Sequence, residues 1–243
     1  SGAWITGHVY DICDRAQDHT GVPYEGDYIR WNLGYSDTQV GGEDGDDGWY
    51  LTVYMYLGYN DNAEQEAQVS QKINGILQNL NLYNASDYAK VQGIYDYLCT
   101  NVKYDYTHPG DYLTMYTAYA ALVDGTSVCQ GYALAFYRMA LELGVDTRLI
   151  AGIGGGDNHG WNIAKVGRYY YNLDATWDSA YAPGNYSYFL MADQNFGNHY
   201  PFTDYTTPEF LEHLIKTSEK GEEAKARMLP TPDRIDWNYL KTR

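Results

Sequence analysis

Three short segments carry the residue types needed for nucleophilic chemistry. The first is Ser127-Val128-Cys129-Gln130-Gly131-Tyr132-Ala133, which places a cysteine just ahead of a helical pattern. N–H groups at a helix start lack partners and the dipole there favours negative charge, so a thiol in that place loses its proton more readily. The second is Asn158-His159-Gly160-Trp161-Asn162, and the third is Tyr171-Asn172-Leu173-Asp174-Ala175-Thr176-Trp177-Asp178. Cysteine, histidine and aspartate in that order supply a nucleophile, a base and a group to orient the base. The chemistry they offer is attack of a thiolate on a carbonyl carbon. His159 would first accept the thiol proton and later return it to the leaving group.

Other residues are candidates for supporting roles. The backbone N–H of Cys129 is the default donor to a developing oxyanion, and the Tyr119 hydroxyl is a candidate second donor. Gln130, Trp161 and Trp177 flank the three segments and are candidates for the wall of a substrate cleft; packing is the competing role for the two tryptophans, and core packing for Tyr119. A small residue at Gly131 would let a substrate backbone approach. Of the remaining histidines, His199 is the nearest rival to His159, because it lies in a polar loop after Tyr188–Met191; His8, His19, His108 and His213 lack a comparable setting. Asp178 is the rival to Asp174.

The elements that must hold these groups are legible from periodicity. Residues 62–80 read as a helix with Val69, Ile73, Ile76 and Leu77 on one face, and Ser86 reads as the N-cap of a second helix over 87–101. A short helix is expected over 114–122, ended by Asp124-Gly125. The helix that begins at Cys129 carries Leu134, Phe136, Tyr137, Met139, Ala140 and Leu143, with Gly144 closing it. The period then changes to that of strands at 147–153, 160–166 and 169–174, with Gly-rich and Gly-Arg turns between them. Side chains on adjacent strands lie about 5 Å apart, which lets His159 and Asp174 meet. Residues 28–35 and 49–57 read as an antiparallel hairpin around the polar turn 41–48. That acidic turn lacks the spacing of a calcium loop. Residues 1–20 have room for a short helix, and 209–227 read as a polar one.

Composition sets outer limits. The chain has 243 residues, enough for one large domain or a domain with an added lobe, and 44% are hydrophobic. A formal net charge of −16 argues against nucleic acid and anionic membrane surfaces as partners. It permits basic or amine-bearing partners and also serves simple solubility. No stretch of eighteen apolar residues exists, so no membrane insertion is expected. The 28 tyrosines suit half-buried strands and wet clefts. Three cysteines, Cys13, Cys99 and Cys129, do not form a disulfide framework; Cys13 and Cys99 either pair or remain buried thiols, the latter favoured for Cys99 by its place in a helix stripe. No cysteine pair has zinc-ligand spacing, and neither a metal nor a cofactor is expected.

The three segments together resemble the transglutaminase-like superfamily, in particular its secreted bacterial members. Cys-Gln-Gly-Tyr-Ala at 129–133 is similar to the family's nucleophile motif, His-Gly-Trp-Asn at 159–162 to its histidine motif, and Leu-Asp-Ala-Thr-Trp-Asp at 173–178 to its aspartate motif. Val102–Tyr106 and Tyr188–Met191 add to the likeness, which runs from about residue 86 to about residue 200. The resemblance implies an α+β fold with a papain-like core, a nucleophile helix packed on an antiparallel sheet, and an N-terminal hairpin-and-helix extension. It divides the chain into an extension over 1–85, a catalytic core over 86–200 and a C-terminal helical or irregular extension over 201–243. It implies a Cys129–His159–Asp174 triad that acts on amide bonds through a thioester. Such an enzyme is a peptidase or amidase when water takes the acyl group and a transglutaminase when an amine does. It also implies a peptide or protein substrate, with cell-wall peptide among the options, and an extracellular or cell-surface location. The start at Ser1-Gly2-Ala3-Trp4 fits either a trimmed chain or a mature one from which a leader has been removed. The alternative from a different class is a non-catalytic surface module that binds peptide or glycan on the same fold.

Overall fold

The computed structural model describes residues 33–45, 48–107, 114–167, 169–180, 184, 186–192 and 195–201, with side chains from residue 59 onward. The first element is a hairpin of β1 (Leu33–Gly45) and β2 (Gly48–Tyr59), paired antiparallel from Leu33↔Tyr59 to Gly45↔Gly48. The hairpin expected from the sequence is present, but most of the acidic stretch belongs to a strand and not to its turn. A strand as long as Trp49–Leu57 needs a partner of equal length, and Ser36–Asp44 lie opposite it. The part of the expected first strand before residue 33, the helices expected at 1–20 and 209–227, and Cys13 lie outside the described residues.

Two helices follow as the periodicity predicts. Helix α1 (Ala63–Asn79) starts with a capping box in which Asn62 and Gln65 exchange side-chain and backbone bonds, and it buries Val69, Ile73, Ile76 and Leu77. Helix α2 (Asp87–Asn101) is capped by Ser86 and buries Tyr88, Val91, Ile94, Tyr95 and Leu98. The helix expected over 114–122 is instead a 3-10 turn (Thr114–Tyr116) and a π-turn (Ala120–Asp124). The Thr117 hydroxyl causes the break: it donates to Thr114 O at 2.8 Å and accepts from the Ala120 N–H at 3.2 Å.

The segment that delivers the cysteine is pinned on several sides. Short strand β3 (Lys103–Tyr104) runs parallel to β4 (Thr126–Ser127). Ser127 Oγ donates to Met115 O at 2.7 Å, and the Val128 N–H donates to the same carbonyl at 3.2 Å. Helix α3 (Cys129–Glu142) then enters the core and buries Tyr132, Leu134, Phe136, Tyr137 and Met139. Its small residues Gly131, Ala133, Ala135 and Ala140 are buried too, so neighbours press close to the helix on more than one face. At Gly131 a Cβ would stand 1.9 Å from Ser127 Oγ and 2.6 Å from Thr117 O. Glycine is therefore required there for helix packing, and the substrate approach expected from the sequence is not what the position serves.

Helix α3 packs against α2 and against a sheet built from β5 (Thr147–Gly154), β6 (Asp157–Val166), β7 (Tyr169–Leu173) and β8 (His199–Pro201), in the order β7-β6-β5-β8 and antiparallel throughout. Asn162 ties the layers together, its Nδ2 donating to Ala133 O of α3 at 3.1 Å and to Arg148 O of β5 at 3.2 Å. The mixed architecture, with a helix headed by Cys129 on an antiparallel sheet and a preceding hairpin and helix, is the α+β class expected. The β8 strand is new. Its region reads as loop in the sequence because three residues show no alternation to detect. No described helix is long and apolar enough to cross a membrane.

Candidate active site

Cys129 is the first residue of α3 and is half-exposed. The cap position before it is Val128, which has no side-chain oxygen to offer the first-turn N–H groups. The Cys129 N–H therefore receives no acceptor from the cap, and the helix presents its positive end at the thiol.

His159 sits near the start of β6, after the turn at Gly155-Gly156, where φ values of 63° and 105° suit glycine. Its ring lies on Gly154 of the neighbouring strand, where a Cβ would come within 2.6–2.8 Å of the imidazole carbons. Asp174 follows the end of β7 and does not continue the strand as expected. It turns into a short helix, α4 (Ala175–Asp178), and caps it with Oδ1, which accepts from the Trp177 N–H at 3.1 Å. Oδ2 lies 2.7 Å from His159 Nε2. Cys129 lies close enough to His159 to help hold the imidazole in its charged form. With Nε2 engaged by Asp174, Nδ1 is the nitrogen left for the thiol.

The electrostatics are those of an ion pair. Burial alone would depress the His159 pKa, but the Asp174 carboxylate and Cys129 more than offset it and raise it to about 10. Burial works against the Asp174 charge as well, yet His159 and His199 hold its carboxyl below the ordinary value. Asp174 is 1% exposed, so these bonds form away from solvent.

The other candidates divide. Trp177 is half-buried and stacks on His159, with centroids 5.3 Å apart and planes 27° apart, so it covers the imidazole. Gln130 is half-buried beside Cys129. Trp161 is 2% exposed and packs with Ile150, Ile163, Tyr170 and Phe196 while its indole N–H donates to Asn172 Oδ1 at 3.3 Å. It is a core residue and not a cleft wall: its ring fills a second apolar cluster on the face of β6 opposite the one that Asn162 turns toward α3. Tyr119 packs half-buried against the main core, the competing role set beside it in the sequence. Asp178, the rival to Asp174, is buried with Oδ2 accepting from the Tyr188 N–H at 3.0 Å and 2.6 Å from the Tyr95 hydroxyl. It serves packing around α4. Cys99 is a free thiol 3.5 Å from Ala175 O, and burial followed by the charge of Asp178 pushes its pKa far up.

Two further residues stand near the site, Tyr104 and His199, the latter weighed in the sequence only as the rival to His159. Tyr104, on β3, is half-buried; burial and then the charge of Cys129 push its phenol up, so it stays a protonated donor near the thiol. Its signal was its place in the Val102–Tyr106 segment. The second is His199, on β8. Its Nε2 lies 3.0 Å from Asp174 Oδ2, the same oxygen that faces His159, and its Nδ1 lies 3.1 Å from Gly197 O. The pairing of Gly154 with His199 brings it there.

His159, Asp174 and His199 offer three ligand atoms within 4.8 Å of one another, a set suited to a borderline metal such as zinc. Ligand atoms around tetrahedral zinc stand about 3.3 Å apart, given bonds of about 2.0 Å. The separations of 2.7 and 3.0 Å here are those of hydrogen bonds. The trio is held by protons, and a metal would have to replace both of them.

No curated protein matches the chain. Among solved structures it is similar to a TGase, at 14% identity and a TM-score of 0.42 over 58% of this chain and 45% of that one. It is also similar to a candidate cysteine protease from Cytophaga hutchinsonii, at 12% identity and a TM-score of 0.38 over 59% of this chain and 65% of that one. The chain thus spans less than two thirds of either. Residues 76–175, which hold Cys129, His159 and Asp174, match the model of the transglutaminase-like superfamily, the family that the three motifs resemble.

Proposed function

We propose that the protein is a thiol enzyme that cleaves amide bonds through a thioester, with Cys129 as nucleophile, His159 as acid and base, and Asp174 as the group that orients His159. The observation that carries this reading is the buried His159–Asp174 pair, with Cys129 at the open end of a helix and near enough to His159 to favour its charged form. The Cys129 thiolate attacks the amide carbonyl carbon. The oxyanion that forms faces the Cys129 N–H and the end of the helix dipole. His159 gives its proton to the leaving amine, the C–N bond breaks, and a thioester remains. Water then attacks with His159 as base, which releases the carboxylic acid and restores the thiol–imidazole pair. Trp177 over His159 shields the proton transfers from bulk solvent. The substrate is a peptide or protein, with cell-wall peptide in view, met outside the cell or at its surface. An amine in place of water would make the same site a transglutaminase.

The test has two steps. Intact mass after brief iodoacetamide treatment from pH 5 to 9 should show fast labelling of Cys129 at low pH, lost in His159→Ala. Turnover of peptides with and without an added primary amine then separates hydrolysis from transfer. Slow labelling with the profile of an ordinary thiol, unchanged in His159→Ala, would refute the reading and favour the binding module.

A further inference from the structure

His199 makes two contacts that constrain its protons. Gly197 O can only accept, and so can an ionised Asp174 carboxylate, which His159 and His199 hold in its charged form. The His199 Nε2 that faces Asp174 therefore carries a proton and donates it. Asp174 Oδ2 thus receives one N–H from His159 and one from His199, while Oδ1 receives the Trp177 N–H. With all three donors in place the carboxylate has a single orientation. Without His199 it could turn about its last bond while keeping either of the other two.

We propose that His199 is a positioning residue of the thiol site, a second histidine that locks the Asp174 carboxylate in the orientation that supports His159; this inference rests on the reading of Cys129 as an activated nucleophile. The fold is built to hold it. β8 pairs with β5 at Gly152–Gly154, so the strand beneath the His159 ring also places His199. Asn198, with φ of 63°, turns the chain into β8, and its carbonyl accepts the Gly155 N–H at 3.0 Å. Aromatic rings enclose the imidazole: Phe196 stacks at 3.8 Å, with Trp177 at 4.3 Å, Trp161 at 5.0 Å and Tyr188 at 5.8 Å between centroids. Such a cage excludes water and strengthens the bond to Asp174. The charged and titratable groups around it are Asp174 and His159, with Cys129 beyond His159 and Asp178 beyond Asp174.

His199→Phe keeps a ring among these aromatics and removes the N–H that faces Asp174. His199→Gln keeps one donor for Asp174. In His199→Phe the alkylation of Cys129 by iodoacetamide at pH 6 should slow by about tenfold or more, the scale of a lost hydrogen bond to a charged group. The acid limb of its pH profile should also move upward, and His199→Gln should recover part of both changes. A packing role alone would leave the profile in place. In the wild type, 15N NMR of the labelled imidazoles should show a proton on His199 Nε2, the nitrogen that faces Asp174, a measurement that needs no variant to fold. The inference is overturned if His199→Phe matches wild type, if Gln recovers nothing beyond Phe, or if His199 Nε2 carries no proton. An activated wild-type thiol unmoved by His199→Phe sinks this inference alone. A wild-type thiol with no activation sinks the proposed function and this inference with it.

Discussion

Replacing Asp174 by Asn tests the site at its most constrained atom pair. The carboxylate is buried and accepts three N–H groups: His159 and His199 on Oδ2, and Trp177 on Oδ1. Asparagine has one acceptor oxygen. Facing the histidines, it turns its NH2 group onto the Trp177 N–H; facing Trp177, it turns that group onto two imidazole N–H groups. Either way a buried donor meets a donor. Removing one partner of a buried ion pair costs about 3–5 kcal/mol, and Asp174→Asn should fall near the lower end because its shape is kept. The pH dependence sharpens the test. The raised His159 pKa contributes stability that is full below its ordinary 6.5 and lost as pH rises through about 10. The lowered Asp174 pKa contributes stability that is full above its ordinary 3.8 and lost as pH falls through the folded value. Urea unfolding from pH 4 to 10 should therefore show a plateau in the wild type that falls away as pH rises from 6.5 to about 10, and a lower, flatter curve in Asp174→Asn. Cys129 alkylation at pH 6 should slow by at least about tenfold as the imidazolium loses its partner. A variant with wild-type stability across this range and an unchanged alkylation rate would refute the charge assignment.

Gly131→Ala should destabilise the fold by about 2–3 kcal/mol in urea unfolding, because the new methyl meets Ser127 Oγ and the Thr117 carbonyl with no room to shift cheaply. Gly154→Ala should fold but push the His159 ring off its seat; Cys129 alkylation at low pH should drop while far-UV circular dichroism stays that of the wild type. Cys99 should stay unlabelled by iodoacetamide from pH 5 to 9 in the native state, since its pKa is pushed up by burial and Asp178, and peptide mapping will show whether the first adduct lies on Cys129 instead.

The parts legible in the sequence are those set by local signals. Helices α1, α2 and α3 announce themselves through apolar spacing and caps, and the ends of α2 fall where Ser86 and Val102 place them. The His159–Asp174 contact was also foreseeable, because antiparallel β6 and β7 are joined by a short turn and their register is local. What escaped depends on contacts distant in sequence. His199 reaches Asp174 only through a three-residue strand paired with β5, and no pattern within 199–201 encodes that partner. Trp161 and Trp177 look alike in the sequence, yet strand geometry buries the first while α4 lifts the second over His159. The role of Gly131 was misread for the same reason: its neighbours Thr117 and Ser127 surround it from an irregular turn and a short strand.

Asp174 caps the helix that carries Trp177 and also orients the histidine that Trp177 covers. Aim and shelter thus hang on one side chain. Random drift has little room here, since a change that loosens the imidazole also unseats its roof, and half-measures are unavailable. An engineer who wants a wetter cleft for larger acyl acceptors would do better to trim Trp177 itself and leave its anchor alone. A family that diversifies its substrates would be expected to vary the roof while keeping the anchor fixed.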